Sequence, residues 1–176
     1  MSTVFSPDGT VSVTIPDEVR QHLSLHFSTE DTGSKFHAAS PEALLADAMT
    51  LAQPLFLQTP ADGDGRLRIA VTFPHPIGVS NVVCLADLTD EERATITIRQ
   101  RETKRVRVAT SARVITTNLC QFVLIQLAKN DTDNASVECR RLLLITMYPG
   151  EAAPPLPNSP DIPDSYWDNH LFITNP

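Results

Sequence analysis

The stretch SPEALLADAMTLAQP, residues 40–54, predicts the clearest helix of the chain and, with the runs that follow it, decides the fold. Ser40 is a preferred N-cap residue, and Pro41 suits the first helical position, where its missing N–H needs no partner. Pro54 is expected to end the helix because proline interrupts the backbone hydrogen bonds. One apolar stripe at helical spacing is predicted to be buried: Leu44, Leu45, Ala48, Leu51 and Ala52.

The segments after residue 65 read as β-strands. RLRIAVTF (66–73) alternates apolar and polar residues, and VSNVVCLADL (79–88) is more uniformly apolar. Two hairpins are predicted, one within 94–114 with its turn at Glu102–Lys104, and one within 118–148. The fold class is therefore α+β: an N-terminal helix packed on a meandering antiparallel sheet of about five strands, with a proline-rich C-terminal tail.

The segment HLSLHFS, residues 22–28, has two interpretations. Strict alternation predicts a strand with His22 and His26 on its polar side. A helix is the alternative, and it would also place the two histidines on one face, four residues apart.

Chain length and proline content indicate the domain organisation. A chain of 176 residues is long enough for one domain, which we place at residues 1–148. Six of the 14 prolines lie between Pro149 and Pro163, so residues 149–176 are predicted to be an extended segment that docks on this domain.

Charge is distributed unevenly. The net charge of −7 disfavours nucleic acid on average. Seven of the 14 basic residues nevertheless fall in one short stretch: Arg93, Arg99, Arg101, Lys104, Arg105, Arg107 and Arg113. The net charge thus does not decide whether the partner is anionic.

Composition indicates a cytoplasmic protein without a membrane partner. No apolar run reaches the roughly 20 residues that span a bilayer, and the N-terminus lacks the pattern of a signal peptide. The three cysteines, Cys84, Cys120 and Cys139, are widely spaced within apolar runs. They are expected to be buried free thiols in a reducing compartment.

Known motifs for metals, cofactors and activated nucleophiles are absent from the sequence. The five histidines include no HExxH, the cysteines form no CxxC, and no P-loop, GxGxxG or GxSxG occurs. We therefore predict no metal site and no cofactor.

The residue types that remain suit metal-independent cleavage of RNA. Histidine can take the proton of a 2′-hydroxyl because its unperturbed pKa is near neutrality. Lysine and arginine can stabilise the negative charge that grows on the phosphate, while threonine and tyrosine hydroxyls can position it. The candidate site residues are His26, Lys35, Arg99, Arg101, Thr146 and Tyr148. The alternative for the arginines is that they form the solvated faces of a hairpin.

Both ends of the chain resemble one family. ITMYPGEAAPPLP with SYWDNHLFI, and LHFSTEDTGSKFHAASPEALLADAM, are similar to segments of BECR-type (barnase/EndoU/RelE-like) ribonuclease domains of bacterial polymorphic-toxin and prophage-associated proteins. The resemblance implies a toxin-like endoribonuclease held in check by an immunity partner. It gives His26 the role of general base or acid, Lys35 with Arg99 or Arg101 that of phosphate stabilisers, and Thr146 with Tyr148 that of positioning groups.

Two other classes stay open. A non-catalytic protein-binding module of immunity, phage or adaptor type would use its sheet face or proline-rich tail. A small-molecule-binding domain would show a closed apolar pocket between helix and sheet. A nuclease should bring His26, Lys35 and an arginine within reach of one phosphate, whereas a binding module should scatter them.

Overall fold

The structure is a computed structural model that describes residues 1–27, 34–101, 104–113, 115–128, 139–150 and 166–174, with the backbone alone for Arg101, Lys104 and Tyr166. Four α-helices occur in this part of the chain: α1 (Asp17–Ser24), α2 (Pro41–Gln58), α3 (Asp90–Ala94) and α4 (Tyr166–Asn169). Short 3-10 helices span Leu25–Phe27 and Leu85–Asp87. No helix among the described residues is long and apolar enough to span a bilayer.

Twelve strands accompany the helices. They are β1 (Ser2–Phe5), β2 (Val11–Ile15), β3 (Lys35–Phe36), β4 (Arg66–Thr72), β5 (Gly78–Val79), β6 (Val82–Cys84), β7 (Thr97–Arg101), β8 (Lys104–Thr110), β9 (Thr116–Thr117), β10 (Leu119–Gln126), β11 (Arg140–Pro149) and β12 (His170–Thr174). The predicted fold class, α+β with mainly antiparallel sheets, is confirmed.

Helix α2 begins as predicted and ends later. The Ser40 hydroxyl accepts a hydrogen bond from the Ala43 N–H at 3.2 Å. The helix continues through Pro54 to Gln58, with a kink at Ala52, whose φ of −134° and ψ of 35° are not helical. The expected end at Pro54 is therefore wrong. Proline bends the helix without ending it, because Phe56 beyond the bend is fully buried and holds the last turn on the sheet.

The buried face of α2 also differs in one detail from the predicted stripe. Leu44, Leu45 and Ala48 are buried as expected. Leu51 is 50% exposed, and Met49 takes its place in the core. Met49 lies four residues after Leu45 on the same face of the helix, so it continues the buried stripe where Leu51 does not.

Helix α2 covers one face of a five-stranded sheet. The strand order is β1-β2-β11-β10-β4, and β2 and β11 are parallel while the other neighbours are antiparallel. The side chains facing the helix form the main core, in which the rings of Phe56 and Phe122 meet edge to face at 5.6 Å. The predicted hairpin within 118–148 is the central pair of this sheet, β10 and β11.

The basic hairpin lies in a different sheet. Strands β7 and β8 pair as predicted, from Thr97 with Val108 to Arg101 with Lys104. They belong to a four-stranded sheet of order β6-β12-β8-β7, while β3, β5 and β9 form a small third sheet. The arginines are therefore not on the outer face of the sheet that α2 covers.

The segment after Pro16 is helical, which corrects the strand prediction for residues 22–27; residue 28 lies outside the described residues. Helix α1 begins after Pro16, carries Asp17 and Glu18 in its first turn and His22 in its last, and passes into the 3-10 helix. Acidic residues at the start and a basic residue at the end favour a helix through its dipole. The alternative interpretation holds: the rings of His22 and His26 lie 5.3 Å apart.

The C-terminal segment is only partly described. Residues 151–165, which include most of the proline-rich tail, lie outside the described residues. Strand β12 lies between β6 and β8, and Trp167 packs against Phe172 with ring centroids 4.7 Å apart. The division into residues 1–148 and 149–176 stays a prediction.

A buried carboxylate fastens α3 to the second sheet. Glu92 accepts hydrogen bonds from the Ser111 hydroxyl (2.6 Å), the Thr89 N–H (2.9 Å) and the Arg113 guanidinium (2.6 and 3.0 Å). These bonds, the one from Ser111 first, lower the pKa of Glu92 from its ordinary 4.5 to about 2. Its ionised form therefore stabilises the folded state above the ordinary pKa, and this contribution is lost as pH falls from 4.5 toward 2.

We expect Glu92→Gln to be less stable than the wild type at neutral pH and less sensitive to acid. The free energy of unfolding, measured by urea denaturation between pH 7 and 2.5, should fall more steeply in the wild type once pH drops below 4.5. Glu91→Gln, an exposed neighbour on the same helix, should follow the wild-type curve. Parallel curves for wild type and Glu92→Gln would contradict the role given to Glu92.

Candidate functional site

His26 is held in a defined orientation at the end of the 3-10 helix. Its ring is half-buried, and Nδ1 lies 3.0 Å from the carbonyl oxygen of Ser34. A carbonyl oxygen only accepts hydrogen bonds, so Nδ1 carries the proton in this contact. In the neutral ring Nε2 then keeps its lone pair, which is the form a general base needs.

Two stacked rings hold the segment that contains Lys35 against the segment that contains His26. Phe27 directly follows His26, Phe36 directly follows Lys35, and the two phenyl rings stack with centroids 4.8 Å apart. Phe36 points into the main core, so the half-buried Lys35 side chain leaves the two-residue strand β3 on the opposite side.

A chain of contacts links this pair to the end of β11. The Ser34 hydroxyl hydrogen-bonds Oδ1 of Asn81 at 2.5 Å, and the Asn81 N–H donates to the same hydroxyl at 3.1 Å. The preceding residue, Ser80, lies so close to Gly150 that a Cβ there would be 2.9 Å from the Ser80 hydroxyl. Strand β3 also contacts β11 directly. His26, Lys35 and the end of β11 thus share one neighbourhood.

Thr146 and Tyr148 owe their orientation to a β-bulge. Leu144 pairs with Leu124 and Thr146 with Val123, so Ile145 is an extra residue in β11. The extra residue reverses the alternation of side chains, and Met147 instead of Thr146 points into the core. Thr146 and Tyr148 therefore face the side of the sheet away from α2, where Thr146 is half-buried and Tyr148 is 9% exposed.

The arginines are placed elsewhere. Arg99 is exposed on β7, which is separated from β6 by β12 and β8. Three strand spacings amount to roughly 14 Å, and β6 begins directly after Asn81, which binds Ser34. Arg99 is thus not brought to His26. The side chain of Arg101 lies outside the part of the chain that the structure describes.

The structure also adds residues that sequence reasoning missed. Ser34, Ser80 and Asn81 connect His26 to the end of β11, although 47 positions separate Ser34 from Asn81. In the sequence, the one residue that marks this contact is Gly150. Its φ of +110° and its close approach to Ser80 both favour glycine at that position.

A second concave feature lies on another side of α1. An open groove of about 570 Å³ separates α1 from the start of α2, and its lining includes Asp17, Arg20, Ser40 and Glu42. Arg20 lies 3.3 Å from Asp17 and 3.9 Å from Glu42, so its positive charge is already neutralised within the groove. The groove does not offer a cationic site for a phosphate.

Metal ligation and thiol chemistry find no support in the described part of the chain. The described residues contain no group of three or more histidine, cysteine, aspartate or glutamate side chains that could hold a metal ion. The described cysteines are free thiols, and burial raises the pKa of Cys120 far above its usual range. A thiol with a raised pKa is a poor nucleophile.

Comparison with known proteins does not assign a family. No protein-family model matches the chain, and neither a curated protein nor a solved structure is significantly similar to it.

Proposed function

We propose that the chain is a metal-independent ribonuclease, toxin-like in kind, whose site lies at the end of β11. The observation that supports the proposal is the chain of contacts from His26 to Ser34, from Ser34 to Asn81, and from Ser80 to Gly150 at the end of β11, with Lys35 next to Ser34 in the chain. The resemblance to BECR-type ribonuclease domains also implies roles for His26 and Lys35, together with Arg99 or Arg101. Because the three cysteines are free thiols, we place the protein in a reducing compartment, the cytoplasm.

In the proposed reaction His26 is the general base. Its Nε2 takes the proton of the 2′-hydroxyl, and the 2′-oxygen bonds to the adjacent phosphorus. The bond from phosphorus to the 5′-oxygen breaks, and that oxygen takes a proton from solvent. The products are a 2′,3′-cyclic phosphate and a 5′-hydroxyl end. The Lys35 ammonium stabilises the added negative charge, and the hydroxyls of Thr146 and Tyr148 orient the strand from the outer face of the sheet.

The test is cleavage of a defined RNA in EDTA. We expect His26→Ala to lower the rate at least about 100-fold, the usual contribution of a positioned general base. His75→Ala is the matched control, because His75 is an exposed histidine that contacts Phe73 and should leave the rate unchanged. A cyclic phosphate on the product would identify the reaction. Wild-type protein that is folded and inactive, or equally active in His26→Ala, would contradict the proposal.

A second candidate is the non-catalytic protein-binding module. The observation in its favour is that an edge strand of each larger sheet exposes a large apolar side chain: Phe5 on β1 is 62% exposed and Ile98 on β7 is 66% exposed. Arg99, next to Ile98, is also remote from His26. This candidate becomes the better one if folded wild-type protein leaves RNA intact.

A further inference from the structure

Strand β7 is an exposed edge with a distinct chemical character. Within the described residues it pairs with β8 alone and forms one border of the four-stranded sheet. The side chains from Thr97 to Gln100 are all exposed, Ile98 by 66%. An edge strand directs alternate N–H and C=O groups outward, where another strand can pair with them.

The two faces of β7 differ. Arg99 is paired with Val106 and therefore points to the same face as that residue, whereas Ile98 is paired with Arg107 and points to the other face. An incoming strand would meet an arginine on one face and an isoleucine on the other. Acidic side chains suit the first position and β-branched apolar side chains the second, since such cross-strand pairs stabilise a sheet.

Local charge selects the kind of partner. Residues 99–107 contain five basic residues and one acidic residue, in a chain whose net charge is −7. A second copy of β7 would place like charges opposite each other, which is destabilising. Charged edge strands commonly protect a protein against self-association. The same charges attract a strand that carries charges of the opposite sign.

We propose that β7 binds an acidic, extended segment of a partner protein by strand addition. RNA is less well suited to this edge, because single strands are held mainly by aromatic stacking together with basic groups. The exposed large apolar side chain of β7 is Ile98, which has no aromatic ring for a base to stack on. Trp167, which packs behind β8, is only 7% exposed. The inference does not depend on whether the chain cleaves RNA.

Binding of a designed peptide tests the proposal. The probe is a fluorescently labelled peptide of sequence TEVEIEVT, which alternates acidic and β-branched residues, titrated by anisotropy at low and physiological salt. We expect saturable binding that weakens with salt. In Arg99→Glu affinity should fall about tenfold, as expected for loss of an attractive cross-strand pair and gain of a repulsive one. Arg68→Glu, the same change at an exposed position of β4, should bind the peptide like the wild type.

Backbone methylation separates strand pairing from charge attraction alone. Peptides N-methylated at alternate residues keep their charge and lose the N–H groups along one edge. One of the two methylation patterns should abolish binding and the other should retain it. The absence of peptide binding, equal loss in Arg68→Glu, indifference to both methylation patterns, or tighter binding of an eight-nucleotide RNA would each overturn the proposal. Cleavage assays on the same variants report independently on the site at His26.

Discussion

Met147→Ala should cost about 2–5 kcal/mol of folding free energy, the usual range for truncating a fully buried methionine. Ile145 is the extra residue that lets Leu144 and Met147 both face the core. If the strand kept Ile145 but had no bulge, regular alternation would turn Thr146 and Tyr148 toward α2 and expel the fully buried Met147. Met147→Ala removes the side chain that the bulge places in the core, and the cavity left behind adds to the loss of buried apolar area.

Ile145→Ala is the matched control, because it keeps the extra residue and removes a side chain that is 39% exposed. We expect this variant to lose no more than about 1 kcal/mol, as is usual for partly exposed positions. Urea denaturation followed by circular dichroism measures both variants. If Met147→Ala cost as little as Ile145→Ala, Met147 would not face the core and the orientation given to Thr146 and Tyr148 would be wrong.

The sequence around this bulge explains why one part of the candidate site was predictable and another was not. The end of a strand at Tyr148 can be read from the proline and glycine that follow. The face on which Thr146 lies cannot be read, because residues 142–145 are all apolar and show no alternation. Only the pairing with β10 reveals the extra residue.

The same physical reason explains which parts of the fold could be predicted from the sequence. The hairpins β7–β8 and β10–β11 were predicted because each joins strand-like segments that are neighbours in the chain. The placement of β12 between β6 and β8 joins segments far apart in the chain, which local periodicity does not encode. The prediction of a strand at residues 22–27 was wrong because alternation over a few residues fits a short helix equally well, and Pro16 and Asp17 before it were the better signal.

The difference between local and long-range strand pairing also explains why the position of the arginines was not predicted. Sequence spacing predicts Arg99 and Arg101 on one face of a hairpin. It cannot state which sheet contains the hairpin, and in the observed sheet two strands lie between β7, which carries Arg99, and β6, which begins directly after Asn81. Under the proposed function Lys35 is therefore the cation assigned to the phosphate, and the hairpin is left to a separate role at its own edge.

The second large effect is expected at Gly78, which holds β3 in place. Gly78 pairs with Phe36 and with Thr117 in the small third sheet. A Cβ at this position would overlap the carbonyl oxygen of Lys35 and lie 3.1 Å from its carbonyl carbon. These are backbone atoms, so no side-chain rotation relieves the overlap, and β3 itself must move.

Gly78→Ala should therefore lower stability by about 3 kcal/mol or more, at the upper end for overpacking. Displacement of β3 would withdraw Phe36 from the core and break the contact between Ser34 and His26, so RNA cleavage should be lost together with stability. The NMR signals of the His26 ring report that contact directly. Gly63→Ala is the control, because nothing lies within 4 Å of a Cβ there. Wild-type stability and an unchanged His26 spectrum in Gly78→Ala would show that β3 does not position the proposed site.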